Sequence, residues 1–215
     1  MEKTRAVALL CLLFALPLFG AERPKRQVVD NVLASSDVPK IRITVDKSLK
    51  YLGSFHFNLR NIAEGERYIW AEAENGRVKR MFIVQLEGFL PDTNKQYRYR
   101  MRTPVKLGHH TYSHNLWFYD DEVNRVADPP NEATRTVTFL AERGLRLDSD
   151  LMMSRFERIL GDDKRNEAIF LYWENLRDHN LTAKDFPEET PTTPEQKRLG
   201  QELFERSLKA FSVED

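Results

Sequence analysis

Along the first two thirds of the chain, apolar and polar residues alternate in short runs. The last third changes to a helical spacing, so the pattern predicts strands first and helices last. From Lys40, Ile41, Ile43 and Val45 alternate with Arg42, Thr44 and Asp46, the period of a half-buried strand, and a second strand is expected over Tyr51–Arg60. The clearest signal is Glu66–Glu87, where two β-rich runs flank Asn75-Gly76, the dipeptide that most readily takes the positive φ values of a two-residue hairpin turn. Ungapped pairing from Glu74 opposite Arg77 sets Ala73 against Val78, Ile69 against Phe82, Trp70 against Met81, Tyr68 against Ile83 and Glu72 against Lys79. Both faces of this hairpin are apolar near its middle, which predicts a strand pair covered on both sides.

Lys95–Arg102 reads as a one-sided strand, with Tyr97, Tyr99 and Met101 on one face and Arg98, Arg100 and Arg102 on the other. Asn115–Tyr119 and Thr134–Ala141 read as further strands, separated by the acidic, proline-containing stretch Asp120–Asn131. From Ser149 the residues Leu151, Met152, Phe156, Ile159 and Leu160 recur at helical spacing and stop at Gly161. A second helix is expected over Asp163–His179. A third begins at Thr193, where Pro194 suits the first helical position and Gln196 completes a capping box, with Leu199, Leu203, Phe204, Leu208 and Phe211 as its buried stripe. The expected class is α+β: a mainly antiparallel, curved β-sheet followed by C-terminal helices packed on it. One domain is expected over residues 40–215, with strands at about 40–147 and helices at about 148–211. A polar linker, 22–39, precedes it, its only apolar cluster being Val28, Val29, Val32 and Leu33.

The head of the chain carries its own message. Lys3 and Arg5 give a basic start, Ala6–Phe19 is an uncharged apolar run broken by Pro17, and the small residues Gly20 and Ala21 precede a charged stretch. This is the order of a secretory signal peptide over residues 1–21, with a run too short to cross a bilayer as a helix. The expected product is exported, secreted or periplasmic, with no transmembrane segment after signal cleavage. Cys11 is the only cysteine and lies inside the apolar run, so the remainder has no disulfide, which favours a bacterial envelope over an animal extracellular setting. The balance of 33 basic and 33 acidic residues argues against a nucleic-acid partner.

No glycine-rich phosphate loop, no Gly-x-Ser-x-Gly elbow and no His-Glu-x-x-His is present. The unusual cluster is Gly108-His109-His110-Thr111-Tyr112-Ser113-His114, read as a loop between strands. His110 and His114 share a face if the segment is extended, and with Asp120 they form a candidate site for a divalent metal. Tyr68, Trp70, Tyr97, Tyr99 and Trp117 fall on expected strands and are the candidate contacts to a ligand. Two functions follow as expectations. The first is an exported, non-enzymatic binding protein for a hydrophobic small molecule or a protein partner. The alternative is an exported metal-dependent or histidine-based enzyme using the His109–His114 segment.

Overall fold

A computed structural model describes residues 25–214, with the side chains of Val123 and Asn124 outside the description. The expected signal peptide, residues 1–21, also lies outside the described residues. Two antiparallel sheets dominate. The smaller has the order β1 (Arg26–Val29), β2 (Val32–Ser35), β3 (Ile41–Val45), β11 (Phe211–Glu214). The larger comprises β4 (Lys50–Leu59), β5 (Ala63–Glu74), β6 (Arg77–Phe89), β7 (Thr103–Leu107), β8 (His110–Asp120), β9 (Asp150–Leu160) and β10 (Asn166–Asn175). Its spatial order is β4-β5-β6-β10-β9-β8-β7, so two meanders, β4 to β6 and β7 to β10, are joined where β6 pairs with β10. Helix α1 (Glu122–Arg125) is a single turn; α2 (Glu132–Ala141) and α3 (Pro194–Lys209) are the longer helices. Among the described residues no helix is long and apolar enough to cross a membrane.

Several expected elements change type for identifiable reasons. Residues 26–35, expected as a polar linker, form the β1–β2 hairpin. Asp30 and Asn31 both take positive φ at its turn, and the Asn31 amide donates to Asp46 O at 3.2 Å and Leu49 O at 2.7 Å. Residues 150–160 and 166–175, expected as helices, are β9 and β10. Both lie in the interior of the large sheet and bury side chains on both faces, which erases the alternation that marks a half-buried strand. Gly161 is not a helix stop but, at φ +70°, part of the turn between them. Thr134–Ala141, expected as a strand, is helix α2. The Asn131 side chain accepts from Thr134 N at 3.0 Å as its N-cap, and Thr136, Phe139 and Leu140 form its buried stripe. Helix α3 starts as expected, with Thr193 and Gln196 closing a capping box; Leu208 faces outward, and Phe211 belongs to β11.

The β5–β6 hairpin turns at Asn75-Gly76, both at positive φ. Its register keeps Glu74 opposite Arg77 and Ala73 opposite Val78, but then slips by one: Glu72 faces Arg80, Trp70 faces Phe82, Ile69 faces Ile83 and Tyr68 faces Val84. Lys79 is the extra residue, a β-bulge that an ungapped reading cannot contain.

The two faces of the large sheet have different covers. On one, Trp70, Phe82, Phe156, Phe170 and Tyr172 pack beneath the small sheet and α3. Phe211 stacks on Phe82 with ring centroids 4.5 Å apart, and such a buried aromatic pair adds about 1 kcal/mol beyond the area it buries. Glu174, at the end of β10, accepts both arms of the Arg206 guanidinium at 2.8 and 2.9 Å and so ties α3 to the sheet. The opposite face has a smaller cover: α2 packs Phe139 and Leu140 against Ile69, Met81 and Ile83 on the β5–β6 side. Arg143 and Arg135 of this region donate to the Leu52 and His56 carbonyls of edge strand β4, which blunts that edge.

Candidate functional site

Beyond α2, the same face holds a cavity over β10, β9 and β8. Register alone builds its floor. Trp117 on β8 is opposite Met153 on β9, and Met153 is opposite Trp173 on β10, so the three side chains form one apolar row across three strands. Adjacent strands lie about 4.8 Å apart, which puts the two indoles roughly 10 Å apart with a thioether between them. The neighbouring row carries Arg155 and Leu171, and Tyr119 and Ile169 extend the floor. The resulting cavity has a volume of about 490 Å³. Asn131, Glu132 and Ala133 at the start of α2 form one wall, and Asp120, Asp121 and Glu189 stand at one end.

Two groups in this wall have unused hydrogen-bonding capacity. The Trp173 indole N–H has no acceptor although the residue is only 4% exposed, and the Arg155 Nε is likewise without one. Buried donors are normally satisfied, and an unmatched one costs about 1–3 kcal/mol. Arg155 is otherwise engaged: its guanidinium lies 5.7 Å from the Trp117 ring centroid and bonds Glu157 at 2.8 Å.

The other end of the cavity is a hydrogen-bonded chain of polar residues on interior strands. Arg67 is buried and donates to Gln85 Oε1 at 2.5 Å, to Thr136 Oγ1 at 2.7 Å and to the Glu132 carbonyl at 3.0 Å. Burial lowers the pKa of its guanidinium to about 10. Gln85 passes the interaction on by donating to Glu87 Oε2, and the Tyr97 hydroxyl donates to Glu87 Oε1 at 2.9 Å. Directly across from Glu87 on β10 is Glu167, 5% exposed. Burial first, then the adjacent Glu87 carboxyl, push Glu167 well above the usual carboxylate range, so it holds its proton at neutral pH.

Tyr97 and Tyr99 reach this region from residues 95–102. These were expected as a strand, but they run as an unpaired strap from the end of β6 to the start of β7. Tyr97 N donates to Lys164 O at 2.8 Å, its ring stacks on Phe89 at 4.4 Å, and Arg102 N donates to Ser113 Oγ at 3.2 Å. Burial and then the neighbouring Glu167 carboxyl raise the Tyr99 hydroxyl above its ordinary pKa.

Of the expected ligand contacts, Trp117 is in the cavity, and Tyr97 and Tyr99 are on the strap beside its carboxyl end. Tyr68 and Trp70 point to the opposite face and pack in the main core, Trp70 against Tyr51 at 5.0 Å and Phe82 at 6.1 Å. The expected metal residues do not meet. The histidine segment is a hairpin turning at Gly108-His109, with His110 at the start of β8 and Asp120 at its end, about 33 Å apart at ~3.3 Å per strand residue. His110 and His114 share a face but are about 13 Å apart by the same rise. Among the described residues no three His, Cys, Asp or Glu side chains are grouped to hold a metal ion.

His114 has a different role. It is 6% exposed, with its ring against Phe156 at 4.8 Å and Phe204 at 4.5 Å, and burial lowers its pKa to about 4. Its Nε2 is 2.9 Å from Ser154 Oγ, which is 2.9 Å from Ser207 Oγ, and Ser207 donates to the Phe204 carbonyl at 2.6 Å. Because Ser207 spends its proton on that carbonyl, Ser154 donates to Ser207 and His114 donates from Nε2–H. This histidine–serine pair is sealed inside the core, with Ser154 and Ser207 fully buried, so its chain of hydroxyls pins α3 to β9 rather than meeting a substrate.

Sequence reasoning missed Arg67, Glu87 and Glu167 as site residues and read Trp173 as a core residue of the expected second helix. The visible signal was Gln85-Leu86-Glu87 interrupting an otherwise apolar interior strand. Its partner Glu167 sat in a segment read as helix, so the two were never aligned. No protein-family model, no curated protein and no solved structure matches the chain.

Proposed function

We propose that the chain is an exported binding protein that holds a small amphipathic molecule, cationic at one end, on the open part of the large sheet. The observation that carries this reading is the Trp117–Met153–Trp173 row, which sets two indoles and a thioether along the cavity floor. The row offers flat apolar contact to a ligand. Of the carboxyl residues that line the cavity, Glu167 holds its proton and Asp121 pairs with Arg125 at 3.5 Å, which leaves Glu87, Asp120, Glu132 and Glu189 against two arginines, both already engaged by the protein. That imbalance favours a cation, which an indole face also attracts. On this reading the sheet is a floor, and the expected curvature around a ligand is not required. Export rests on the order of basic, apolar and small residues at the head of the chain.

The test uses tryptophan fluorescence, because two of the three tryptophans are in the cavity wall and Trp70 is in the core. Benzyltrimethylammonium, benzyl alcohol and benzenesulfonate are titrated separately. Saturable binding of the cation, lost in Trp117→Ala and weaker or absent for the other two probes, supports the reading. Equal binding of all three removes the cationic preference, and no saturable response to any of them removes the cavity as a site for such molecules.

A further inference from the structure

Between Asp92 and Asp120 the chain has no acidic residue, yet it carries Lys95, Arg98, Arg100, Arg102 and Lys106 in a protein of 33 basic and 33 acidic residues. All five are exposed, on the strap and on edge strand β7. From this basic, anchored surface we infer that the strap and β7 dock on an anionic lipid bilayer.

The row of cations is held in place rather than trailing as a tail. Tyr97 and Tyr99 turn inward, and Tyr97 is fixed by its stack on Phe89 and its bond to Glu87. The alternate residues Arg98, Arg100 and Arg102 are thereby turned outward, about 6.6 Å apart for each two-residue step of extended chain. A row whose backbone is already anchored loses little backbone freedom on binding. Met101 decides between a bilayer and a soluble polyanion. It is next in sequence to Arg100 and Arg102 and 48% exposed, although Tyr97 and Tyr99, its counterparts in the alternation, turn inward; an exposed apolar side chain beside cations gains where hydrocarbon lies just behind the negative charge. This inference is independent of the cavity and its ligand.

The test is co-sedimentation of the protein with vesicles of phosphatidylcholine alone and of phosphatidylcholine with phosphatidylglycerol, at low and physiological salt. Binding should require phosphatidylglycerol and weaken with salt. The combined variant R98Q/R100Q/R102Q should bind about a hundredfold more weakly, following the usual gain per basic residue near an anionic surface. Met101→Ser should weaken binding several-fold and leave the salt dependence unchanged. Equal sedimentation with both lipid mixtures, or an unaffected triple-glutamine variant, overturns the inference. Stronger binding to heparin than to the vesicles, together with no effect of Met101→Ser, overturns it in favour of a soluble polyanion. The replaced side chains are exposed, and an unchanged melting temperature confirms that each variant is folded.

Discussion

Glu87 and Glu167 stand directly opposite each other on β6 and β10, in the middle of a seven-stranded sheet where apolar pairs are the rule. Two like charges cannot both be kept there, so the pair holds a proton.

The proton makes stability depend on pH in a definite direction. Glu167 has a folded pKa raised above its ordinary 4.5, so the native state keeps a proton that the unfolded chain releases. Its contribution is fully present below the ordinary carboxylate range and is lost as the pH rises through the folded pKa. Glu167→Gln keeps the shape and removes the titration. In urea unfolding, the variant should match the parent near pH 4 and exceed it at pH 8 by about 1–3 kcal/mol. Parallel stability curves for the two proteins would show that the pair does not titrate.

His114 acts in the acidic range. Its pKa falls from 6.5 to about 4 on folding because it is buried, so the unfolded chain takes up a proton first as the pH drops. The stability it supports is intact above pH 6.5 and is lost as the pH falls from there toward 4, on the order of 3 kcal/mol. His114→Gln should remove that part of the acid sensitivity. Thermal melts at pH 7 and pH 4.5 provide the comparison, and an unchanged difference between the two would refute the assignment.

Helix α3 is tied to the sheet through one buried carboxylate. Burial alone would raise Glu174, but hydrogen bonds from His179, Arg206 and Tyr172 outweigh it and hold its pKa at about 2. Arg206→Ala leaves that charge without its bidentate partner and should cost about 3 kcal/mol at neutral pH. The additional substitution Glu174→Gln should recover part of the loss, because the uncompensated charge is then gone. Denaturant midpoints of the single and double variants test this, and a double variant no better than Arg206→Ala would contradict it.

Gly65 faces Glu87 from the other side, on β5. A Cβ there would meet the Phe57 ring at 2.5 Å and Glu87 Cβ at 2.8 Å. Gly65→Ala should therefore destabilise by about 1–3 kcal/mol and displace Glu87. A chemical-shift change of Glu87 and Tyr97 with little change at Trp70 is the expected NMR signature. An unperturbed Glu87 would mean that the strand shifts as a whole.

The sequence made legible whatever depended on one strong local rule. Asn75-Gly76 marked the hairpin, Ile41–Val45 alternated as an edge of the core, and Thr193-Pro194 with Gln196 marked the start of α3. It misled where two opposed environments act on one strand: β9 and β10 lie inside the sheet and bury side chains on both faces, so the strand alternation is lost and their apolar residues fit a helix equally well. Thr134, Thr136 and Val137 disguised α2, since β-branched residues favour strands until tertiary contacts override them. The candidate site was legible only in part. Trp117 and the tyrosines of the strap could be picked out as aromatics on extended chain, but the pairing of Glu87 with Glu167 depends on the β6–β10 register, which no local pattern contains. The bulge at Lys79 shows the same limit at the scale of one residue.

The joining of the two meanders at β6 and β10 also sets how the chain must fold. Each meander can form from neighbouring hairpins, whereas β6 and β10 meet only after the excursion from Phe89 to Asn166 is closed. Such long-range closure slows folding, because chain entropy is lost before the contacts that reward it. Until it is complete, each meander exposes one long apolar edge open to pairing with another molecule. The step that creates the cavity, bringing Glu87 to Glu167, is thus also the step that covers both of those edges.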